Sequence, residues 1–359
     1  MHTLSLTGNR ITEEGAKALS EVFRQDRNSY LGPTSGSGGA GGNAGAGGNA
    51  SSGLKRIHLT GNKLGPEGVR GLMEAMTMPK YSPDSNKDCA IRTHQAESSE
   101  FSSTTDTDND NDTGVDANTD TDIGTPARKH IRTASECNGV QELFLGGTGM
   151  GHMGCVAVAK MLETSTSLRV LSLSNCQLDD SSAMLLAAAI TSNCKQLPFE
   201  RLQLSFNDLT CKGIEALMNA VWGLTCLKEL QLDNNKMEGR GAQVVSAVLG
   251  SVRTLQKLDV GFNAVSGTGM KLLMKAVAEN TNLTSLTISG NSVDLGSAKA
   301  IAYALAHNAS LKSIFLDHCA IDGEGQRHIA AGIVSNSRTS LEVLTGFDVG
   351  GKYCFTCEN

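Results

Sequence analysis

The chain has 359 residues, 39% of them hydrophobic, 19% charged and 4% aromatic, with 40 glycines and 10 cysteines. Its net charge of −6, from 31 basic and 37 acidic residues, excludes the basic footprint of a nucleic-acid-binding protein. No run approaches the ~20 apolar residues of a membrane helix. Met1 to Asn9 carries no basic and apolar leader, so the expectation is a non-secreted protein, cytoplasmic or nuclear, with reduced thiols.

Residues 1–25 read as a first structural unit. Leu4 and Leu6 alternate with outward residues, as in a short strand with one buried face. Asn9 ends that strand, Ile11 follows, and Ala16, Leu19 and Phe23 form one stripe of an amphipathic helix. Residues 26–53 include the tract Gly36-Ser-Gly-Gly-Ala-Gly-Gly-Asn-Ala-Gly-Ala-Gly-Gly and predict a flexible, low-complexity linker. Residues 54–78 repeat the first pattern, with Asn62 as the anchor, then Leu64, and Val69, Leu72 and Met76 on the helix stripe. Residues 79–138 hold 12 acidic and 6 basic side chains, which is the whole net charge of the chain. This acidic, apolar-poor stretch predicts a disordered insertion. Within it, Arg132-Thr-Ala-Ser135 has the form of a basophilic kinase site, which makes Ser135 a candidate regulatory residue. Two such insertions predict a loose tether for the first two units, which the sequence leaves free to stack on the rest.

Residues 139–349 form a continuous repeat array, with residues 350–359 as a C-terminal tail. Its anchors are Thr148, Cys176, Asn207, Asn235, Asn263, Asn291 and Cys319, spaced by 28, 31, 28, 28, 28 and 28 residues. Leu341-Glu-Val-Leu344 adds a tenth strand. Each anchor ends a period-2 strand, and each strand gives way to a period-3.6 helix. An inward Asn can use both ends of its amide on backbone groups of neighbouring turns. Glycine usually stands six residues past the anchor, as at Gly154, Gly213, Gly241, Gly269 and Gly325, and predicts a turn into the helix.

This pattern resembles the leucine-rich repeat family, and the 28-residue unit with a full helix is similar to its ribonuclease-inhibitor-like subclass. The resemblance implies an α/β solenoid, a horseshoe with a parallel sheet on its concave face and helices on its convex face. A horseshoe exposes its end faces, and Met1 falls inside a repeat without a polar cap. That predicts either a truncated gene product or a covered edge.

Chemical motifs are sparse. Gly149-Met-Gly-His-Met-Gly154 matches a dinucleotide fingerprint, but the repeat explains it: Gly154 is the repeat glycine and Met150 the apolar position. Cys354-Phe-Thr-Cys357 lacks a second ligand pair and reads as two reduced thiols. No P-loop, nucleophile elbow or His/carboxylate cluster is present. The expectation is a non-catalytic scaffold with no cofactor, metal, nucleic acid, membrane or small-molecule substrate. A protein partner of unknown identity would sit on the concave face. Outward strand positions there give the candidate contacts Phe144, Arg201, Gln203, Glu229, Gln231, Asp233, Lys257, Asp259, Phe315 and Asp317. Two alternatives follow from the same resemblance. One is a GTPase regulator like Ran GTPase-activating protein, with Arg10, Lys63 and Lys236 after the anchors. The other is the repeat part of a larger receptor or cytoskeletal scaffold.

Overall fold

The structure is a computed structural model, and it describes residues 2–28, 54–77 and 139–346. The readings of a Gly-rich linker beyond Asn28, an acidic insertion and a C-terminal tail fall outside the described residues. So do Ser135, Cys354 and Cys357.

Among the described residues the chain alternates ten short strands with nine helices. The strands are β1 (Thr3–Ser5), β2 (Arg56–His58), β3 (Glu142–Phe144), β4 (Val170–Ser172), β5 (Arg201–Gln203), β6 (Glu229–Gln231), β7 (Lys257–Asp259), β8 (Ser285–Thr287), β9 (Ser313–Phe315) and β10 (Val343–Leu344). The helices are α1 (Glu13–Asn28), α2 (Gly65–Thr77), α3 (Gly151–Thr164), α4 (Asp180–Asn193), α5 (Cys211–Val221), α6 (Glu238–Leu249), α7 (Gly267–Glu279), α8 (Leu295–His307) and α9 (Gly323–Ser335). No helix among the described residues is long and apolar enough to cross a membrane.

All ten strands form one parallel sheet in chain order. The register aligns one apolar residue per strand, from Leu4 through Ile57, Leu143, Leu171, Leu202, Leu230, Leu258, Leu286 and Ile314 to Leu344. Those from Ile57 to Ile314 are buried against the helix stripe, each stabilising by roughly 1.5–3 kcal/mol. The first two units, which the sequence left free to stack, do stack. β1 pairs with β2 and β2 with β3 in the same register as the rest, and α1 packs on α2 and α2 on α3. Unpaired, β1 and β2 would leave apolar faces in water, so the array takes them in. α1 also runs to Asn28, past the boundary read at residue 25. Parallel strands repeat at ~4.8 Å and packed helices at ~8–10 Å, which makes the sheet the concave side of the array.

The anchors form a ladder between units. Asn291 Nδ2 donates to Val260 O (3.0 Å) and Ile288 O (2.9 Å), while its Oδ1 accepts from the backbone N–H of Asn263 (3.1 Å) and Val265 (2.9 Å). Asn207 does the same between Leu173, Leu204, Cys176 and Leu178. Cys176 and Cys319 put a thiol in the same place, with Sγ donating to Leu145 O (3.2 Å) and Ile288 O (3.4 Å). A second ladder, absent from the sequence reading, closes the helix C-termini. Asn308 Nδ2 donates to Val277 O and Asn280 O (both 2.7 Å), and its Oδ1 accepts from Ser310 and Leu311 N–H. Asn193, Asn280 and Asn336 occupy equivalent places.

The repeat glycines are corrected in role. Gly154, Gly213, Gly241, Gly269 and Gly325 lie inside the first turns of helices rather than in the turns before them. They permit close approach: a Cβ at Gly269 would run into the backbone of Gly239 in the preceding unit.

Candidate protein-interaction face

Sheet alternation sets three outward side chains per strand end to end, and equal repeat spacing stacks them in rows across the sheet. One row holds Arg201, Glu229, Lys257, Ser285 and Ser313. The next holds Gln203, Gln231, Asp259, Thr287 and Phe315. Two residues on, Ser205, Asp233, Gly261, Ser289 and Asp317 hold equivalent places, while the register of β10 puts Thr345 beside Phe315. The structure therefore brings together nine of the ten sequence-derived candidates between β5 and β9. Phe144 stands apart on β3, where it stacks on His58 at 4.3 Å.

Cross-strand neighbours sort these charges. Arg201 Nε pairs with Glu229 Oε2 at 2.9 Å, and Gln231 Nε2 donates to Glu229 Oε1 at 2.8 Å, so this carboxylate is neutralised within the face. Asp233 accepts from Ser205 Oγ and from Asn234 Nδ2 (2.9 Å), both neutral donors. Asp317 accepts from Thr345 Oγ1 at 2.5 Å. Asp259 accepts the Gly261 N–H at 3.0 Å. Burial pushes its carboxyl up to about 6, the Gly261 bond opposes that, and the Asp233 charge adds to it. Lys257 is exposed and pairs with no carboxylate among the described residues.

A rim borders this face, formed by the residue just before each anchor. Its backbone is left-handed in every unit, and the array mostly fills it with Gly8, Gly61, Gly147, Gly290, Asn175 or Asn234, which tolerate that conformation. Three units place a ring there instead: Phe206 (φ 56°), Phe262 (φ 52°) and His318 (φ 58°). Phe206 is 57% exposed and Phe262 46%. Phe262 lies over Gly290, where no Cβ would fit, with the His318 ring 6.0 Å away. The sequence reading placed both phenylalanines at strand ends but had no signal for their backbone.

Other clusters do not join this face. His152 Nδ1 meets Ser181 Oγ at 2.9 Å, and Ser181 donates to Asp179 at 2.7 Å, so the serine stands between histidine and carboxylate. A nucleophilic triad needs the histidine in the middle. Asp179 also accepts from Ser182 N–H and Oγ and caps α4, and these hydroxyl and amide bonds hold it down to about 2. Lys236, one of the cations considered for a GTPase contact, is held by Asp208 at 2.6 Å. On the helix-to-strand edge, Glu200 takes Arg169 (2.6 Å) and Lys228 (3.3 Å) beside a shallow cavity of about 430 Å³ that also touches Cys226 and Arg253. The single tryptophan, Trp222, which the sequence reading did not single out, is 68% exposed at the end of α5. Among the described residues no three His, Cys, Asp or Glu side chains are grouped to hold a metal.

The leucine-rich repeat family matches residues 1–20, 51–73, 164–187, 198–218, 223–246, 253–274 and 279–302, and with the fold above this makes the chain a leucine-rich repeat protein. No curated protein matches it in sequence. Among solved structures, leiomodin-1 actin-binding site 2 is 16% identical with a TM-score of 0.35, covering 44% of this chain and 88% of its own. A Caenorhabditis elegans tropomodulin C-terminal domain is 11% identical with a TM-score of 0.35, covering 44% of this chain and 92% of its own. Likenesses of that degree do not bear on what this chain binds.

Proposed function

We propose that this chain is a non-catalytic scaffold, of the ribonuclease-inhibitor-like kind and working in the cytosol or nucleus, that holds a protein partner on the sheet face between β5 and β9. The observation that carries this reading is the rim. Two half-exposed phenylalanines occupy left-handed positions where six other units use glycine or asparagine. A bulky residue there is strained by roughly 1–2 kcal/mol. Packing of the buried half of such a ring can offset that strain, and the exposed half is the surface a partner would cover. The neighbouring carboxylates and amides supply the polar surround of such an interface.

The test is a pull-down from native lysate with wild type and a Gln231→Arg/Asp233→Arg/Asp259→Arg variant, with circular dichroism to establish that the variant is folded. Partners held by wild type and lost by the variant support the face. The same partners on both would move the binding surface elsewhere on the molecule.

A further inference from the structure

Between β6 and β9 the face forms a trough with charged ends. Asp233 and Asp317 stand in one row, three strands apart, so about 14 Å separates their backbones at ~4.8 Å per strand. Gly261 and Ser289 lie between them as the floor. A Cβ on Gly261 would sit 3.1 Å from Ser289's neighbouring carbonyl oxygen, so the floor there is bare backbone. Phe262 stands along one side on the rim, and Asp259, Thr287 and Phe315 along the other. Neither end carboxylate meets a cation among the described residues, and each accepts only neutral hydroxyl or amide donors. Of the face's other acidic groups here, Glu229 is already satisfied by Arg201, and Asp259 accepts the Gly261 N–H. The trough is therefore a negative, aromatic-sided slot whose charges lack counter-ions.

An extended chain advances ~3.3 Å per residue, and alternate side chains share a face. Side chains at i and i+4 are then about 13 Å apart, close to the ~14 Å between the backbones of the two end residues, and the side chain at i+2 falls over the floor. Resting on the reading that this sheet face is the working surface, we infer that the trough takes an extended segment of a partner protein with basic side chains four residues apart and an apolar one midway. The cations meet Asp233 and Asp317, and the apolar side chain packs on Gly261 and Ser289 against Phe262. The exposed Phe262 ring also offers its face to a passing cation.

The test uses the full chain and a short fluorescein-labelled Gly/Ser peptide with Arg at i and i+4 and Leu at i+2, followed by anisotropy at about 50 mM salt, where surface charges are weakly screened. A control peptide of equal charge carries its two Arg side by side. The expected result is saturable binding of the spaced peptide, weakened about tenfold in Asp233→Asn/Asp317→Asn. Phe262→Ala should weaken it several-fold, and the control should bind about tenfold less tightly. Asparagine keeps the acceptor for the neutral donors, so these variants should leave the fold intact. Equal binding of both peptides would reduce the effect to bulk charge and overturn the proposal. So would the absence of saturable binding up to about 1 mM, or sedimentation showing a second copy of the chain displaced by Asp233→Asn/Asp317→Asn. If the peptide fails while the triple-arginine variant still loses its lysate partners, the face reading stands and only this partner chemistry falls.

Discussion

Replacing Asp259 by Asn should stabilise the protein at neutral pH and do nothing in acid. The carboxyl sits mid-face on β7, raised from 3.8 to about 6 by burial, with Asp233 adding to the shift. A folded-state value above the unfolded one means the native state binds the proton more tightly. Between about pH 4 and pH 6 the native chain therefore holds more protons than the unfolded chain, and stability falls as pH rises through that window. Full shielding would make the effect about 3 kcal/mol. Asp259 is only half-buried, and solvent screening brings this to about 1 kcal/mol. Asn keeps the shape and the acceptor for the Gly261 N–H but cannot ionise. Urea unfolding followed by circular dichroism, compared by midpoint because arrays need not unfold in two states, should show equal midpoints near pH 4. A gap favouring Asn should open by pH 7 to 8. A variant no more stable than wild type at pH 7.5, or a gap that persists unchanged at pH 4, refutes the argument.

Asn291→Ala should be severe, because it strands the Asn263 and Val265 N–H groups and the Val260 and Ile288 carbonyls together. The expected cost is about 3–5 kcal/mol by urea midpoint, and a loss under ~1 kcal/mol would mean the ladder is not what joins the units. Gly269→Ala forces a methyl into the Gly239 backbone and should cost about 1–3 kcal/mol, whereas Gly323→Ala, with open space around it, should cost far less. Burial pushes the Cys155 thiol up to about 12 and raises Cys176 and Cys319 as well. Alkylation mapped by mass spectrometry at pH 8 should mark the exposed Cys226 in the native chain and leave those three unmarked until urea is added. Native labelling of Cys155 at the rate of Cys226 would contradict the packing.

The fold was legible because two periods alternate on a fixed frame. The period-2 run around Leu230 and the 3.6-period stripe through Val245 and Leu249 each have one apolar side, and only stacking buries both. Less legible was anything that depends on contact between units. Yet the contacts follow one rule: Arg201 and Glu229, and Ser205 and Asp233, are each one 28-residue repeat apart, whereas β10 is offset by 30 and Thr345 reaches Asp317 diagonally. A spacing of one repeat in sequence is adjacency across the sheet, so the neutralisation of Glu229 was readable from that frame. The helix-end ladder also had a signal, an Asn three residues before the first strand leucine in Asn280 to Leu283 and Asn308 to Leu311. The left-handed backbone of Phe206 and Phe262 had none, because phenylalanine there defies the preference that glycine and asparagine reveal at the equivalent sites.

That defiance gives the sharpest separation of stability from binding. Putting Asn at 262 removes a left-handed phenylalanine, relieving roughly 1–2 kcal/mol. It also exposes the Gly290 surface that the half-buried ring covers, and burial of half a phenylalanine stabilises by a similar ~1–2 kcal/mol. The two effects nearly cancel, so Phe262→Asn should unfold within about 1 kcal/mol of wild type, as Asn234 already holds the same position one unit earlier. Partner affinity has no such compensation, since nothing in asparagine replaces the ring. An unchanged urea midpoint with weakened partner binding would show that the ring is kept for recognition. A drop in stability beyond ~2 kcal/mol with binding unaltered would make Phe262 a packing residue and remove the rim as evidence for a docking face.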